Sequence, residues 1–309
     1  MNKIRLALIA GGTSGEREVS LKGAAEVEQA LSKEKYEVQR YDPATDLARL
    51  AADADQLDAA FILLHGIHGE DGTVQGMLEL LGIPYQGAGV LGSALAMDKN
   101  LAKTMYRLHG LPIAGWEMAD KEHIADPAPL LAKLSLPLVI KPVRQGSSLG
   151  MSIVRQADQL SPALATAFQH DSRVMVEEFV QGREITVGVI GNDELMPLPL
   201  VEVIPDKKYD FFDYEAKYRP GATREVCPAE VDDSIRDKAQ QYGLTAHRAL
   251  QLRGYSRTDM IVREDGEIFL LETNTIPGMT PTSLLPQAAA QAGLEFAVLL
   301  DRLIALAME

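Results

Sequence analysis

Four clusters of residues in this chain have types and spacings suited to chemistry. The first is Lys141-Pro142-Val143-Arg144-Gln145-Gly146-Ser147-Ser148-Leu149-Gly150. Successive backbone N–H groups in a Gly/Ser loop can form a nest for an anion. Lys141 ends the apolar run Leu138–Lys141, where a lysine is unfavourable unless it meets a negative charge. The Walker order GxxxxGK[ST] is absent. An ordinary hairpin turn is the competing reading.

The second cluster is Asp259, Glu272 and Asn274. Thr258–Arg263 and Glu267–Thr273 flank Asp265-Gly266, a strong hairpin signal. Antiparallel pairing brings Asp259 beside Glu272 and Asn274, which lie two apart and so share a face. Two carboxylates and an amide oxygen suit a hard cation such as Mg²⁺, with phosphate oxygens completing its shell. A solvated polar strand face is the alternative, weakened by the apolar Phe269-Leu270-Leu271. The third cluster is the loop Asn274–Ser283 that follows. Gly278 can offer an unobstructed backbone N–H. Ser283 stands where a helix N-terminus would favour a carboxylate.

The fourth cluster pairs Gly11-Gly12-Thr13-Ser14-Gly15-Glu16-Arg17-Glu18 with His65-Gly66-Ile67-His68-Gly69-Glu70-Asp71-Gly72. The dinucleotide fingerprint G-x-G-x-x-G is not matched. Glu16 occupies the place of a phosphate contact, and a carboxylate there suits an ammonium group. His65 is expected beside Glu16 at a sheet's carboxyl edge, where open α/β sheets bind ligands. A His/Glu metal pair is the alternative. Plainer readings cover other residues. Cys227 reads as a small buried or loop residue, and Met77, Met97 and Met105 as helix core positions. Glu230, Asp232 and Asp233 read as a helix N-terminus favoured by the macrodipole.

The elements that must hold these clusters alternate at first. Ile4–Ala10 and Ala59–Leu64 are continuous apolar runs, the pattern of buried parallel strands. Tyr36–Tyr41 alternates as a strand. Ser20 is a possible cap for a helix carrying Leu21, Ala24, Ala25 and Leu31. Thr73 opens a helix through Leu81. This rhythm predicts a small doubly wound domain to about residue 94. Next come a helix at Leu101–His109, strands at Leu138–Lys141, Ser152–Val154 and Val174–Phe179, and a helix at Ser161–His170. They predict an α+β module. Glu184–Ile190 predicts a further strand, and Asp232–Leu252 and Leu294–Met308 predict helices. Asp206–Thr223 is a long loop without periodicity, suited to a lid.

Composition bounds the partners. The chain has 309 residues, 30 Lys+Arg and 44 Asp+Glu, a formal charge of −14. That balance disfavours nucleic acid and anionic membranes, which need basic patches. An apolar fraction of 46% excludes disorder as a whole-chain description. One cysteine allows no disulfide framework. No apolar run reaches the roughly 20 residues of a membrane helix. A soluble, cytoplasmic protein is expected.

Taken together, the clusters resemble the D-alanine–D-alanine ligases. The resemblance rests on Gly11 to Ser20, His65-Gly66 with Gly69-Glu70-Asp71-Gly72, Met97-Asp98-Lys99, and Lys141-Pro142 with Gly146-Ser147-Ser148. It continues through Asp213-Tyr214-Glu215-Ala216-Lys217-Tyr218, Arg257-Thr258-Asp259 and Leu271 to Thr280. The motifs fall in family order from residue 11 to residue 286. The resemblance implies an N-terminal Rossmann-like domain (1–94) followed by a two-lobed ATP-grasp fold. Its lobes would span 95–182 and 183–309, with a lid at Asp206–Thr223.

It also implies roles. Lys99 and Lys141 would contact ATP phosphates and the region around the base, Lys217 would reach the γ-phosphate from the lid, Glu177 would bind the adenine side and Glu184 the ribose. Asp259, Glu272 and Asn274 would hold two Mg²⁺ or Mn²⁺. Glu16, with His65 nearby, would bind the ammonium of the first D-alanine. Glu16, Ser147 and Tyr218 would form a network closing the lid. Arg257 and the Gly278 N–H would form an oxyanion site. Ser283 and the Leu284 N–H would take the carboxylate of the second D-alanine. The implied reaction is D-alanyl-D-alanine synthesis through an acyl phosphate, for peptidoglycan, by a homodimer. Tyr218 favours the dipeptide over D-alanyl-D-lactate. Another ATP-grasp carboxylate–amine ligase and a silent nucleotide or amino-acid sensor are the alternatives.

Overall fold

The computed structural model describes residues 3–205 and 223–309. The remainder of the expected lid, with Lys217 and Tyr218, lies outside the described residues. Three sheets follow one another along the chain. The first holds β1 (Ile4–Ile9), β2 (Tyr36–Tyr41) and β3 (Ala59–Ile62), parallel and in the order β2-β1-β3. Leu6 to Ile9 and Ala59 to Ile62 are all buried, as continuous apolar runs in a covered sheet require. Helices α1 (Arg17–Ala30), α2 (Leu47–Asp53) and α3 (Thr73–Leu80) complete the alternation.

Ser20 does not cap a helix. The chain turns earlier, with Arg17 N–H donating to Ser14 C=O at 3.2 Å and Ser20 N–H to Glu16 C=O at 3.1 Å. Ser20 therefore lies inside α1, wholly buried, and its Oγ accepts the Gly11 N–H at 2.8 Å. Its polarity, which suggested a cap, serves the Gly11-Gly12 turn instead.

The second sheet is antiparallel, in the order β4-β7-β5-β6. Its strands are β4 (Trp116–Ala119), β5 (Leu138–Pro142), β6 (Ser152–Val154) and β7 (Val174–Glu178). Helix α7 (Leu160–Ala167) covers it, after the short α6 (Ala128–Leu131). Between the first two sheets run α4 (Val90–Met97) and α5 (Lys99–Leu108). Asp98 separates them, its Oδ1 accepting the Asn100 and Leu101 N–H groups at 3.1 Å. This cap starts α5 two residues before the expected Leu101.

The third sheet holds β8 (Arg183–Ile190), β9 (Met196–Pro197), β10 (Val201–Pro205), β11 (Thr223–Val226), β12 (Tyr255–Val262) and β13 (Ile268–Asn274). Its path is β11-β10-β8-β12-β13, antiparallel, with β9 beside β8. Helix α8 (Asp233–Ala249) packs on it together with α4 and α5. Asp232 precedes α8 and Asp233 opens it, as the acidic run suggested. The last helices, α9 (Leu284–Gln291) and α10 (Phe296–Ala307), turn back to the first sheet. Leu285, Leu299, Leu303 and Ile304 share a core there with Leu6, Leu8 and Phe61. The two ends of the chain are thus joined by one apolar core, and residues of the first two clusters, among them Lys141, Ser147, Asp259 and Glu272, line one cleft.

Candidate active site

The cleft lies between the second and third sheets and is partly open to solvent. Lys99, Lys141, Gly146, Ser147, Glu177, Glu184, Asp259 and Glu272 all line it. One end is apolar. Val139, Met151 and Ile153 come from the second sheet's side, Ile261 and Leu271 from the third.

The metal-type residues sit where the hairpin pairs. Asp259 is opposite Glu272, and Arg257 opposite Asn274. Side chains directly opposite share a face, so all four lie together. A bulge follows, because the register shifts between Asp259 and Met260. The extra residue lets Leu271 and Glu272, adjacent in sequence, both line the cleft. Across the other edge of β12, Thr186 stands opposite Asp259 and Glu184 opposite Ile261.

Arg257 grips Asp259 with two parallel bonds, Nε to Oδ1 and a terminal nitrogen to Oδ2, both 2.8 Å. Burial disfavours the guanidinium's charge, but Asp259 outweighs it, with Glu272 and Glu184 adding to the effect, so Arg257 stays charged. Asn274 Nδ2 donates to Asp259 Oδ2 at 3.0 Å. A half-turn of that amide would present its oxygen at the same place. Lys99 Nζ lies 3.5 Å from Glu272 Oε2 and donates to Gln145 C=O at 2.8 Å. The donor set of two carboxylates and an amide, beside two bound cationic side chains, fits Mg²⁺ or Mn²⁺. Among the described residues no three His, Cys, Asp or Glu side chains converge as a metal cluster. The alternative His/Glu metal pair at His65 therefore finds no third ligand of those types there.

Lys141 answers the question its position raised. Its Nζ meets Glu177 Oε2 at 2.5 Å, and Glu177 Oε1 pairs with Lys103. All three residues are buried. Burial alone would raise the Glu177 carboxyl, but the two lysines hold it below its ordinary value. The sequence reading missed Lys103. Its signal was present: it lies four residues after Lys99, on the same helical face.

Glu16 stands at a junction. Ser147 Oγ donates to Glu16 Oε1. A Cβ at Gly146 would lie 3.0 Å from Glu16 Oε2, and one at Gly66 3.1 Å from it. The first sheet's loops and the Gly/Ser loop thus meet on this carboxylate. Asp42 braces the turn beneath by accepting the Gly12 N–H at 2.9 Å and pairing with Arg17 at 2.6 Å. Ser147 and Ser148 both adopt left-handed backbone, φ 49 and 57. Such backbone is rare for serine and orders the nest-like turn around Gly146. His65 is half-buried in the same region. Burial pushes its imidazole down, against the pull of Glu16, so it is neutral near pH 7.

Glu70, quoted in a motif but given no role, accepts the Gly66 N–H at 2.8 Å. Burial pushes its carboxyl up to about 8, opposed by backbone bonds from Gly66 and Ile276 and reinforced by Glu16 and Glu272. The folded chain therefore favours the neutral acid. Its stabilising effect is complete below the ordinary carboxyl range and fades as pH rises through about 8. Glu70→Gln is accordingly expected to raise the thermal midpoint more at pH 8.5 than at pH 5. Thermal denaturation across that window tests it, and an equal shift at both ends would refute the assignment.

Ser283 precedes α9, and its side chain does not bond that helix's own N–H groups. Its Oγ accepts the Thr280 N–H at 3.1 Å and lies 2.9 Å from Thr280 Oγ1. A Cβ at Gly278 would lie 3.1 Å from the same Oγ. Gly278, Ser283 and the Leu284 N-terminus of α9 therefore form one corner. Cys227 is half-buried, and burial pushes its thiol up, in keeping with the plain reading.

The chain is similar to known proteins over nearly its whole length. Two family models match, D-ala D-ala ligase N-terminus over residues 44–88 and D-ala D-ala ligase C-terminus over residues 105–305. A D-alanine–D-alanine ligase of Syntrophobacter fumaroxidans is 59% identical over 99% of this chain and 98% of its own length. One of Desulfotalea psychrophila is 58% identical over 99% and 96%. The crystal structure of a Bacillus anthracis D-alanine–D-alanine ligase complexed with ATP superposes with a TM-score of 0.86. It is 35% identical, covering 99% of this chain and 97% of that one. A D-Ala:D-Ser ligase of Enterococcus faecalis also superposes with a TM-score of 0.86, at 32% identity over 99% and 100%. Motif order, three-sheet architecture and full-length identity agree, and the chain belongs to the D-alanine–D-alanine ligase family, with its ATP-grasp fold.

Proposed function

We propose that this chain joins two D-alanine molecules into D-alanyl-D-alanine, converting ATP to ADP and phosphate, for peptidoglycan precursor synthesis. One observation carries the reading. An ammonium-type carboxylate, Glu16, is hydrogen-bonded to Ser147 of the same Gly/Ser loop that borders the lysine-lined cleft. The first D-alanine, as phosphoryl acceptor, and the phosphoryl donor can therefore meet.

The mechanism follows from the parts. A carboxylate is a poor acyl donor because its leaving group would be oxide. Transfer of the γ-phosphoryl group to one carboxylate oxygen of the first D-alanine makes phosphate the leaving group. That transfer needs alignment and charge neutralisation, which Lys99, Lys141 and the N–H groups of the Gly/Ser loop supply. Asp259, Glu272 and Asn274 would hold two Mg²⁺ or Mn²⁺, whose chemistry is further neutralisation of phosphate charge. Glu16, with His65 beside it, orients the ammonium of the first D-alanine. Ser283 and the Leu284 N–H bind the carboxylate of the second. Its neutral amine attacks the acyl carbon, the electrons pass to oxygen, and Arg257 with the Gly278 N–H stabilises that oxyanion. The nitrogen gives up its extra proton to the leaving phosphate or to water, and collapse of the intermediate re-forms the carbonyl and expels phosphate. Glu177 receives the base edge and Glu184 the ribose. Lys217 would reach the γ-phosphate, and Tyr218 would join the Glu16–Ser147 network as the lid closes.

The reading places the enzyme in the cytoplasm as a homodimer. Residues 1–94, 95–182 and 183–309 are its three working units. A coupled ADP-release assay with D-Ala, D-Ser and D-lactate is the test. ADP release with D-Ala alone, matched by dipeptide, is the expected result. Preference for D-Ser or D-lactate as second substrate would move the assignment to a related ligase. ATP binding without phosphate release would indicate a sensor.

A further inference from the structure

Lys103 is the least exposed lysine of the cleft region, 1% accessible, and it is not among the residues that line the cleft. It lies behind Glu177, on α5. Its Nζ pairs with Glu177 Oε1, while Lys141 takes Oε2 at 2.5 Å. Its Nζ also lies 5.8 Å from the centre of the Trp116 ring, whose Nε1–H donates to Asn100 Oδ1 at 2.9 Å. The ammonium is thus enclosed on all the sides that these contacts define. Enclosing a charge is strongly unfavourable unless it is paired. Lys141 by itself would satisfy the charge of Glu177. The second lysine adds a buried positive charge that a purely structural pair does not need.

What the second lysine changes is the carboxylate's geometry. Each oxygen of an ionised carboxylate accepts at about two positions and donates at none. With Lys103 on one oxygen and Lys141 on the other, both are anchored. The remaining acceptor positions are left for the cleft, which Glu177 lines together with the apolar Val139, Met151 and Ile153 on one side and Ile261 and Leu271 on the other. A flat heterocycle suits such a lining. Its edge must carry an N–H donor, because an acceptor would face the carboxylate unpaired.

We propose that Lys103 is a positioning residue for the nucleotide: by anchoring Glu177 from behind, it makes the cleft select a base whose inner edge donates, a 6-aminopurine, over one whose edge accepts, a 6-oxopurine. The proposal rests on the nucleotide reading of the cleft given above. Lys103 touches no substrate and acts through Glu177.

The test is titration calorimetry of the full chain with ATP and with GTP, without D-alanine. Lys103→Met is expected to weaken ATP binding about 30-fold, the size of a buried acceptor left unpartnered. GTP binding should weaken less than about threefold, so the preference for ATP falls at least about tenfold. At saturating ATP, kcat should stay within about threefold and the D-alanine KM within about twofold. Lys103→Arg keeps a cation behind Glu177 and should restore most of the preference. Near-UV circular dichroism checks the fold, and Lys103→Gln, which keeps a donor, provides a milder second variant with an intermediate loss of preference. An equal loss for both nucleotides in folded variants, or an unchanged ATP/GTP ratio, overturns the proposal. Because the ATP/GTP preference is read from binding, ATP binding without dipeptide formation would refute the ligase reading and leave this one standing.

Discussion

Arg257→Lys is expected to lower kcat by about 10²–10³-fold, the scale of losing a donor aimed at a developing oxyanion. Lysine keeps a positive charge near Asp259, so the buried carboxylate is not abandoned. It cannot reproduce the planar fork that now makes two 2.8 Å bonds to Asp259. Either its ammonium stays with Asp259 or it reaches the oxyanion. Arg257 lies on the same strand face as the metal-type residues, and its proposed contact forms only as the acyl carbon becomes tetrahedral. The D-alanine KM should therefore change by less than about fivefold. Steady-state ADP release measures both constants. A kcat within fivefold of the parent in a folded variant would remove Arg257 from the oxyanion site.

Glu272→Gln is the second large effect. An amide of the same shape keeps the packing beside Leu271 and removes one of two carboxylates paired across the hairpin. Turnover should fall by about a thousandfold, several kcal/mol of charge stabilisation. The Mg²⁺ or Mn²⁺ concentration needed for half-maximal rate should rise at least tenfold, because a neutral amide is the weaker ligand for a hard cation. Asn274→Ala should cost less, about 10- to 100-fold, since it removes a neutral donor set and the 3.0 Å bond to Asp259. Metal titrations of the ADP-release rate test both. Normal metal dependence in Glu272→Gln would defeat the ligand assignment even if turnover fell.

Much of the site was legible before any tertiary structure. The hairpin signal at Asp265-Gly266 places Asp259 beside Glu272, and β12 and β13 pair them directly. The strand-end lysine announces an anion, and Lys141 meets Glu177. Other features were hidden for physical reasons. The bulge that lets adjacent Leu271 and Glu272 both line the cleft breaks the period of two on which strand faces are read. Helix α4 escaped notice because Gly89, Gly92 and small residues blur its apolar stripe. Ser20 looked like a cap because serine's hydroxyl suits a helix end and a buried backbone N–H equally well. Lys103 drew no reading, because a lysine on a helix is ordinarily exposed.

Local pattern thus determined the parallel opening sheet, the hairpin, the acidic start of α8 and the presence of chemistry in four separate stretches. Each of these depends on residues within a few positions of one another. No local pattern joins Glu16 to Ser147, 131 positions away; the resemblance implied their contact, and the tertiary structure makes it a hydrogen bond. Only the tertiary structure decided that Lys103 and Lys141 close on one carboxylate, and that α9 and α10 return to the first sheet. Those contacts depend on how apolar faces pack across the whole chain. Such packing is set by the sum of many weak, non-directional contacts, which no short window of sequence contains.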